Sequence, residues 1–263
     1  MSVPKPHIEF VGTNGYNISP GAKPALAIVN HIMEGSMQSC IAWFQNPQAG
    51  ASSNYGIGKD GRIVCFVDPE IAWPYWAWAN GVLAYPDATV QALVAHGRQL
   101  YGNVSPNVYT ISIEHEGHTG EPPSQAMAAA TAHLAAYLCE QFHVPSDRTA
   151  LLGHYQFDSV NRARCPGWSA AFWDEYVRSV CELLYPVPAP PIVDPALDER
   201  KWCADAEERI HRAKADLDAA LQSLELPPPP ASEDEITKYA RDALRRVELA
   251  QGELVYATQS LTW

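Results

Sequence analysis

The chain has 263 residues, which is enough for one well-buried domain and a smaller appendage. Apolar residues make up 47% of it, but no apolar run reaches membrane-spanning length, so we expect a soluble globular protein without an integral membrane segment. The formal net charge of -12 argues against nucleic acid as a partner, because a phosphate backbone requires a basic protein face.

Alternating and periodic apolar residues predict the secondary structure in chain order. Strands are expected at 25–30, 56–67, 108–114 and 151–153, and a tight turn at 59–62 makes the second of them a hairpin. Helices are expected at 87–101, 124–142 and 170–184, and Ser124 is the predicted cap of the middle one. Strands that alternate with helices in one continuous core indicate an α/β domain.

A proline-rich segment divides the chain. We predict a main domain at 1–185, a stiff linker at 186–196 and a second domain at 197–263. In the second domain, apolar residues recur every three or four positions, and alanines fill most of a heptad seam, which predicts an antiparallel helical hairpin. Because such a seam buries little area, the hairpin is expected to pack on the main domain or on another copy, which would make a homo-oligomer.

Two good zinc ligand types, His154 and Cys165, flank a polar and basic loop that leads into Cys-Pro-Gly. A catalytic zinc requires three protein ligands and one open position. Among the nine histidines, His31 stands out because it directly follows a buried strand, where α/β enzymes often place functional groups. The three residues therefore form a candidate hydrolytic zinc site. The alternative is a hydrogen-bonded histidine at a strand end and a buried thiol.

Several motifs occur in one order along the chain. They are Val-Asn-His at 29–31, a long motif at 53–63, Ala-Trp-Ala-Asn-Gly at 77–81, Ile-Ser-Ile-Glu at 111–114, Gly-His at 153–154 and Cys-Pro-Gly at 165–167. In these motifs the chain resembles the zinc-dependent N-acetylmuramoyl-L-alanine amidases (amidase type 2), which are related to peptidoglycan recognition proteins and phage endolysins. The resemblance implies a central mixed β-sheet flanked by helices, and bacterial peptidoglycan as the partner. It also implies one Zn²⁺ per chain, with His31, His154 and Cys165 as its ligands.

The resemblance also assigns catalytic groups. The family's catalytic carboxylate ends a strand in the pattern Ile-x-Ile-Glu, which places it at Glu114. Glu116 is the rival, two residues further on and on the same side of an extended strand, and we keep it as a candidate for binding substrate or for supporting the site residues. Many relatives carry a lysine two residues before the third ligand, where this chain has Ala163. Either flanking arginine, Arg162 or Arg164, is a candidate for stabilising the developing oxyanion.

Further substrate contacts are expected from Tyr55, Trp78 and Asn80. Tyr55 lies close to Ser53, a position where some relatives place a tyrosine. Trp78 belongs to an aromatic-rich segment at 72–81, whose rings suit stacking on sugars, although at least half of them are expected to be core. Asn80 is the best polar contact in that segment.

These features predict a zinc amidase that cleaves the bond between the lactyl group of N-acetylmuramic acid and L-alanine. The N-terminus lacks the apolar core of a secretory signal. Together with this, the family resemblance implies a phage-type endolysin, made in the host cytoplasm and acting on the cell wall after release. The alternatives are a cytoplasmic amidase that recycles anhydro-muropeptides and a non-catalytic peptidoglycan-binding protein. Six cysteines are too few for a disulfide scaffold, and the sequence leaves open whether Cys40 and Cys65 are paired.

Overall fold

The structure of the protein, a computed structural model, describes residues 2–13, 18–20, 25–70, 72–74 and 87–186. The chain divides into two units, Met1–Leu184 and Tyr185–Trp263. The helical hairpin predicted at 197–263, and almost all of the linker before it, lie outside the described residues. They therefore stay predictions.

The described elements alternate between strands and helices. The strands are β1 (Ile8–Phe10), β2 (Ile18–Pro20), β3 (Ala27–Ile32), β4 (Tyr55–Ile57), β5 (Ile63–Cys65), β6 (Ala72–Pro74), β7 (Thr110–His115) and β8 (Leu151–Gly153). The helices are α1 (Met37–Gln45), α2 (Ala88–Tyr101), α3 (Gln125–Phe142), α4 (His154–Phe157) and α5 (Ala170–Leu184), with a short 3-10 turn at Pro106–Val108.

A mixed sheet forms the centre of the fold. Its strand order is β1-β5-β4-β7-β3-β8, and all neighbours run parallel except the β4–β5 hairpin. β7 and β3 are buried along nearly their whole length, so the polar side chains that they carry, such as Ser112 and Asn30, are buried as well. β2 and β6 pair separately as a two-stranded antiparallel sheet.

Helices cover both faces of the sheet. On one face, α1 places Met37, Cys40 and Phe44 against a small apolar cluster that includes Val64 and Phe66. On the other face lies the larger core, and there α3 packs against α5. That core includes Tyr55, Ile111, Ile113, Leu134, Leu138, Trp173 and Val180. The sheet thus separates a large packed core from the side that carries α1.

The expected α/β fold, a central mixed sheet flanked by helices, is confirmed. Ser124 caps α3, its hydroxyl accepting a hydrogen bond from the Met127 backbone amide. The predicted strand at 56–67 is the β4–β5 hairpin, closed by a hydrogen bond from the Gly61 amide to the Gly58 carbonyl at 2.9 Å. The sequence analysis missed α1, which covers the sheet face opposite the main core.

The described residues show the state of two cysteines and the character of the helices. Cys40 and Cys65 are both free and buried, so they do not form the disulfide that the sequence left open. Within the described part of the chain, no helix is both long enough and apolar enough to cross a membrane.

Candidate active site

Parallel strands place two of the predicted site residues side by side. β3 and β7 are neighbours, and their register pairs His31 with Glu114. Paired residues of parallel strands project to the same face of the sheet, so both side chains leave on the side covered by α1. β8 lies along the other edge of β3 and ends at Gly153, which puts His154 next to the same place. Strand ends that are far apart in sequence therefore supply three of the groups.

The loop before α5 supplies the fourth group. The Ile32 backbone amide donates to Cys165 Sγ at 3.4 Å, and the Tyr155 amide donates to the Cys165 carbonyl at 2.9 Å. Gly167 has φ 79°, and a Cβ there would lie 2.8 Å from the Arg164 carbonyl oxygen, so only glycine fits this turn. These contacts bind the loop to β3 and α4 and aim the thiol at the two histidines.

His31, His154 and Cys165 form one compact donor set. Their exposed fractions are 2%, 2% and 8%, and one ligand atom from each lies within 4.8 Å of the others. The two histidine Nδ1 atoms are 3.0 Å apart. A tetrahedral zinc with nitrogen at about 2.0–2.1 Å and sulfur at about 2.3 Å holds its ligand atoms roughly 3.3–3.7 Å apart. Two imidazoles and one thiol at these separations fit zinc with small adjustments.

The electrostatics of the donor set also suit a cation. Burial, followed by the neighbouring His154, lowers the pKa of His31 well below its ordinary value, so its imidazole is neutral and has a lone pair to donate. Burial, followed by the Glu114 carboxylate, raises the pKa of the Cys165 thiol to about 12. A divalent cation in the site would offset that effect by stabilising the thiolate, since metal binding to a thiol releases its proton.

Glu114 lies beside the donor set without belonging to it. Its side chain enters the same cavity, and Oε1 is 4.0 Å from His31 Nδ1. Burial raises the pKa of this carboxyl to about 8, while the positive charge of Arg162 acts in the opposite direction. A carboxyl whose pKa is raised to about 8 and whose oxygen lies 4.0 Å from one atom of the donor set is suited to accept and return a proton.

The structure distinguishes the two predicted arginines. Both line the cavity, but the Arg162 guanidinium is close enough to lower the pKa of Glu114. The Arg164 guanidinium reaches the loop at 118–120, since a Cβ on Gly120 would lie 3.6 Å from Arg164 Nη2. Its backbone carbonyl also accepts a hydrogen bond from Thr119 Oγ1 at 3.3 Å. Arg162 is therefore the better placed cation for a negative charge at the donor set, and Arg164 lies beside the loop at 118–120.

The contacts of Glu116 argue against the predicted substrate role. Its Oε1 accepts a hydrogen bond from the Met37 amide at 3.1 Å, and its Oε2 accepts one from the Lys59 amide at 2.8 Å. It is absent from the cavity lining, because these two amides engage both of its carboxylate oxygens. Glu116 instead joins the start of α1 to the β4–β5 turn.

The position of Tyr55 also argues against a substrate role. It is 2% exposed and belongs to the main core. The register pairs it with Ile113, one position before Glu114, so the two strands present it on the face opposite the Glu114 carboxylate. Trp78 and Asn80 lie outside the described residues, and their substrate contacts stay predictions.

The donor set and Glu114 form the floor of an open cavity of about 880 Å³. One side of this catalytic cavity is α1, which contributes Ser39, Cys40, Trp43 and Phe44. Another side includes Glu34, whose carboxylate accepts hydrogen bonds from the Thr119 hydroxyl and, at 3.3 Å, from the Thr119 amide. The sequence analysis missed both. Ser36 before a Met-x-x-Cys-x-x-x-Phe spacing was the available signal for α1.

Comparison with known proteins gives a family and several similar chains. Residues 21–168 match the model of the N-acetylmuramoyl-L-alanine amidase family. N-acetylmuramoyl-L-alanine amidase A of Achromobacter lyticus is 26% identical over 169 residues, covering 57% of this chain and 81% of that protein. A selenomethionyl AmpD derivative superposes with TM-score 0.47 at 17% identity, over 64% of this chain and 93% of its own. The endolysin amidase LysCS of Clostridium intestinale superposes with TM-score 0.44 at 18% identity, over 68% of this chain and 98% of its own.

The family match covers more than half of the chain. It includes the whole donor set, the carboxylate beside it and the central strands that position them. The chain therefore belongs to the N-acetylmuramoyl-L-alanine amidase family.

Proposed function

We propose that this amidase depends on zinc held by His31, His154 and Cys165, and that Glu114 and Arg162 carry out the proton and charge chemistry. The observation that carries the proposal is the geometry of the cavity floor. Three buried donor atoms lie within 4.8 Å of one another, and a carboxylate oxygen lies 4.0 Å from one of them. A binding-only protein has no need of that arrangement, whereas a hydrolase requires all of it.

The reaction is hydrolysis of the amide between the lactyl carbonyl of N-acetylmuramic acid and L-alanine. Zinc bound at such a site supplies Lewis acidity, polarising the carbonyl and acidifying water. Glu114 accepts the proton of the attacking water as the new carbon–oxygen bond forms, and then donates it to the departing nitrogen as the carbon–nitrogen bond breaks. Arg162 stabilises the negative charge that develops on the carbonyl oxygen. The products are a lactyl carboxylate and a peptide with a free L-alanine amino group.

We further propose that the substrate is the polymeric cell wall, as for a phage-type endolysin that is made in the host cytoplasm and reaches the wall after release. The open form of the catalytic cavity supports this proposal, since rim residues such as Val160 are exposed and leave room for a chain to pass. A recycling amidase would act instead on soluble anhydro-muropeptides.

The two substrates can be compared directly. The zinc-loaded full chain is incubated with purified sacculi and, in parallel, with a soluble anhydro-muropeptide, and the new amino termini are counted over time. Faster release per scissile bond from sacculi supports the wall as substrate. Turnover of the soluble fragment alone would contradict the endolysin proposal and favour the recycling one, whereas no turnover of either would contradict the amidase proposal.

A further inference from the structure

Helix α1 presents a continuous side to the catalytic cavity. Cys40 and Phe44 line the cavity and are buried, with their other contacts in the small apolar cluster beneath α1. Ser39 and Trp43 are their neighbours on the same helix face and lie higher, at the rim. Trp43 is 53% exposed and lines the cavity, so about half of its surface is open to a ligand there.

The helix that carries Trp43 is firmly held. Ser36 caps it, and the Glu116 carboxylate accepts a hydrogen bond from its first backbone amide, on Met37. The Phe44 ring packs edge-on against Phe66 with centroids 4.9 Å apart. A tryptophan on so fixed a helix is a preorganised platform, which limits the entropy lost when a ligand binds to it.

Trp43 is one of two exposed hydrophobic residues that lie at the catalytic cavity. The large hydrophobic side chains exposed within the described residues are Phe10, Trp43, Leu100, Val104, Val160 and Leu183. Two of them, Trp43 and Val160, lie at the rim of the catalytic cavity. Exposed apolar side chains that gather at a binding site are more informative than single scattered ones.

The cavity lining differs in chemistry from place to place. Glu34, Arg162 and Arg164 carry charges into it, whereas α1 contributes an aromatic surface without charge. The substrate of the proposed reaction also has a charged part and an uncharged part, one on each side of its scissile amide. The stem peptide carries carboxylates, and the glycan carries uncharged sugar rings whose C–H faces suit an aromatic plane. Charge complementarity therefore assigns the peptide to the arginines and the glycan to α1.

We propose that Trp43 stacks on a sugar ring of the glycan and so determines that this amidase prefers substrates bearing intact sugar. This inference rests on the proposed function for the identity of the ligand. It assigns to α1 a binding role that is separate from the proton chemistry of Glu114. A contact between Trp43 and the stem peptide is the competing outcome, and the experiment separates the two.

The first measurement is equilibrium binding of the disaccharide N-acetylglucosaminyl-N-acetylmuramic acid to the zinc-loaded full chain by titration calorimetry. Trp43→Ala should raise the Kd about tenfold, and Trp43→Phe, which keeps an aromatic face, should raise it less than about threefold. Leu100→Ala is the matched control, because Leu100 is 52% exposed on α2 and is absent from the cavity lining. An unchanged Kd in Trp43→Ala, or no binding by the wild type at millimolar disaccharide, would overturn the inference.

The second measurement compares two substrates with the same scissile bond, a disaccharide tetrapeptide and the corresponding D-lactyl-tetrapeptide without sugar. Trp43→Ala should lower kcat/KM about tenfold on the first, mainly through KM, and leave the second within twofold. Equal losses on both would show that Trp43 serves the peptide and would overturn the inference. Disaccharide binding without any hydrolysis by the wild type would instead refute the amidase proposal and leave the stacking inference supported.

Discussion

Glu114→Gln tests the assignment of the proton acceptor. The substitution keeps the shape of a side chain that is only 9% exposed, but an amide cannot take up the proton of the attacking water. General acid–base catalysis contributes about 10²- to 10⁴-fold to rate, so kcat should fall by that factor, or about 2.7–5.4 kcal/mol in activation free energy. Because Glu114 is not one of the three donors, the zinc content should not change.

The same variant makes a prediction about stability in the zinc-free protein. Burial raises the pKa of Glu114 to about 8 in the folded state, so the folded protein holds this proton more tightly than the unfolded chain does. The resulting stabilisation is complete below the ordinary value of 4.5 and is lost as pH rises toward 8. Glutamine does not titrate, so the Tm of Glu114→Gln should decline less than that of the wild type between pH 5 and pH 8.

The assay is kcat on a soluble disaccharide peptide, with bound zinc measured by mass spectrometry of the metal. Glu175→Gln on the exposed face of α5 is the control for an isosteric change remote from the cavity, and it should leave kcat unchanged. Glu114→Gln with full zinc and more than a tenth of wild-type kcat would refute the general-base role. Loss of zinc together with activity would show that Glu114 serves mainly to retain the metal.

Three further outcomes follow from the site. Cys165→Ser should lose bound zinc under dialysis that leaves the wild type loaded, measured as metal per chain, because a hydroxyl is a far poorer zinc ligand than a thiolate; retention of zinc would exclude the thiol as a ligand. Glu116→Gln should lower the free energy of unfolding by about 1–2 kcal/mol, measured in urea titrations, since one of its two carboxylate–amide hydrogen bonds is lost. Its KM should not change. A raised KM with unchanged stability would restore the predicted substrate role of Glu116. Arg162→Ala should lower kcat about tenfold or more and Arg164→Ala much less, in parallel assays on one peptide; the reverse order would contradict the assignment of Arg162 to the oxyanion.

The sequence predicted the donor set for a clear physical reason. Parallel strands bring their carboxyl ends to one edge of the sheet, so a histidine at the end of β3 and another just after β8 meet even though 122 residues lie between them. Cys165 was a candidate from its residue type and its Cys-Pro-Gly motif, but its placement depends on a loop that is fixed by contacts with the backbone amides of Ile32 and Tyr155. The family resemblance strengthened the ligand role that the motif alone left open.

The sequence did not predict which sheet face Tyr55 occupies, what Glu116 contacts, or that α1 lines the cavity. Tyr55 lies in a strand whose two faces are both buried, so alternation could not show that it points away from Glu114. Glu116 lies on the same side as Glu114, but the backbone amides of Met37 and Lys59 hold its carboxylate, and the sequence did not show those two contacts. Helix α1 is only nine residues long, so the helical spacing of Met37, Cys40 and Phe44 is a short signal, and the role of α1 in the cavity became visible only when the chain was folded.

The most direct test of the whole account is mass spectrometry of purified peptidoglycan after incubation with the full chain, with and without a chelator. The account predicts free stem peptides with a new L-alanine amino terminus, lost on chelation and restored by added zinc. Peptidoglycan left intact by the zinc-loaded protein, or cleavage that continues unchanged after the metal is removed, would contradict it.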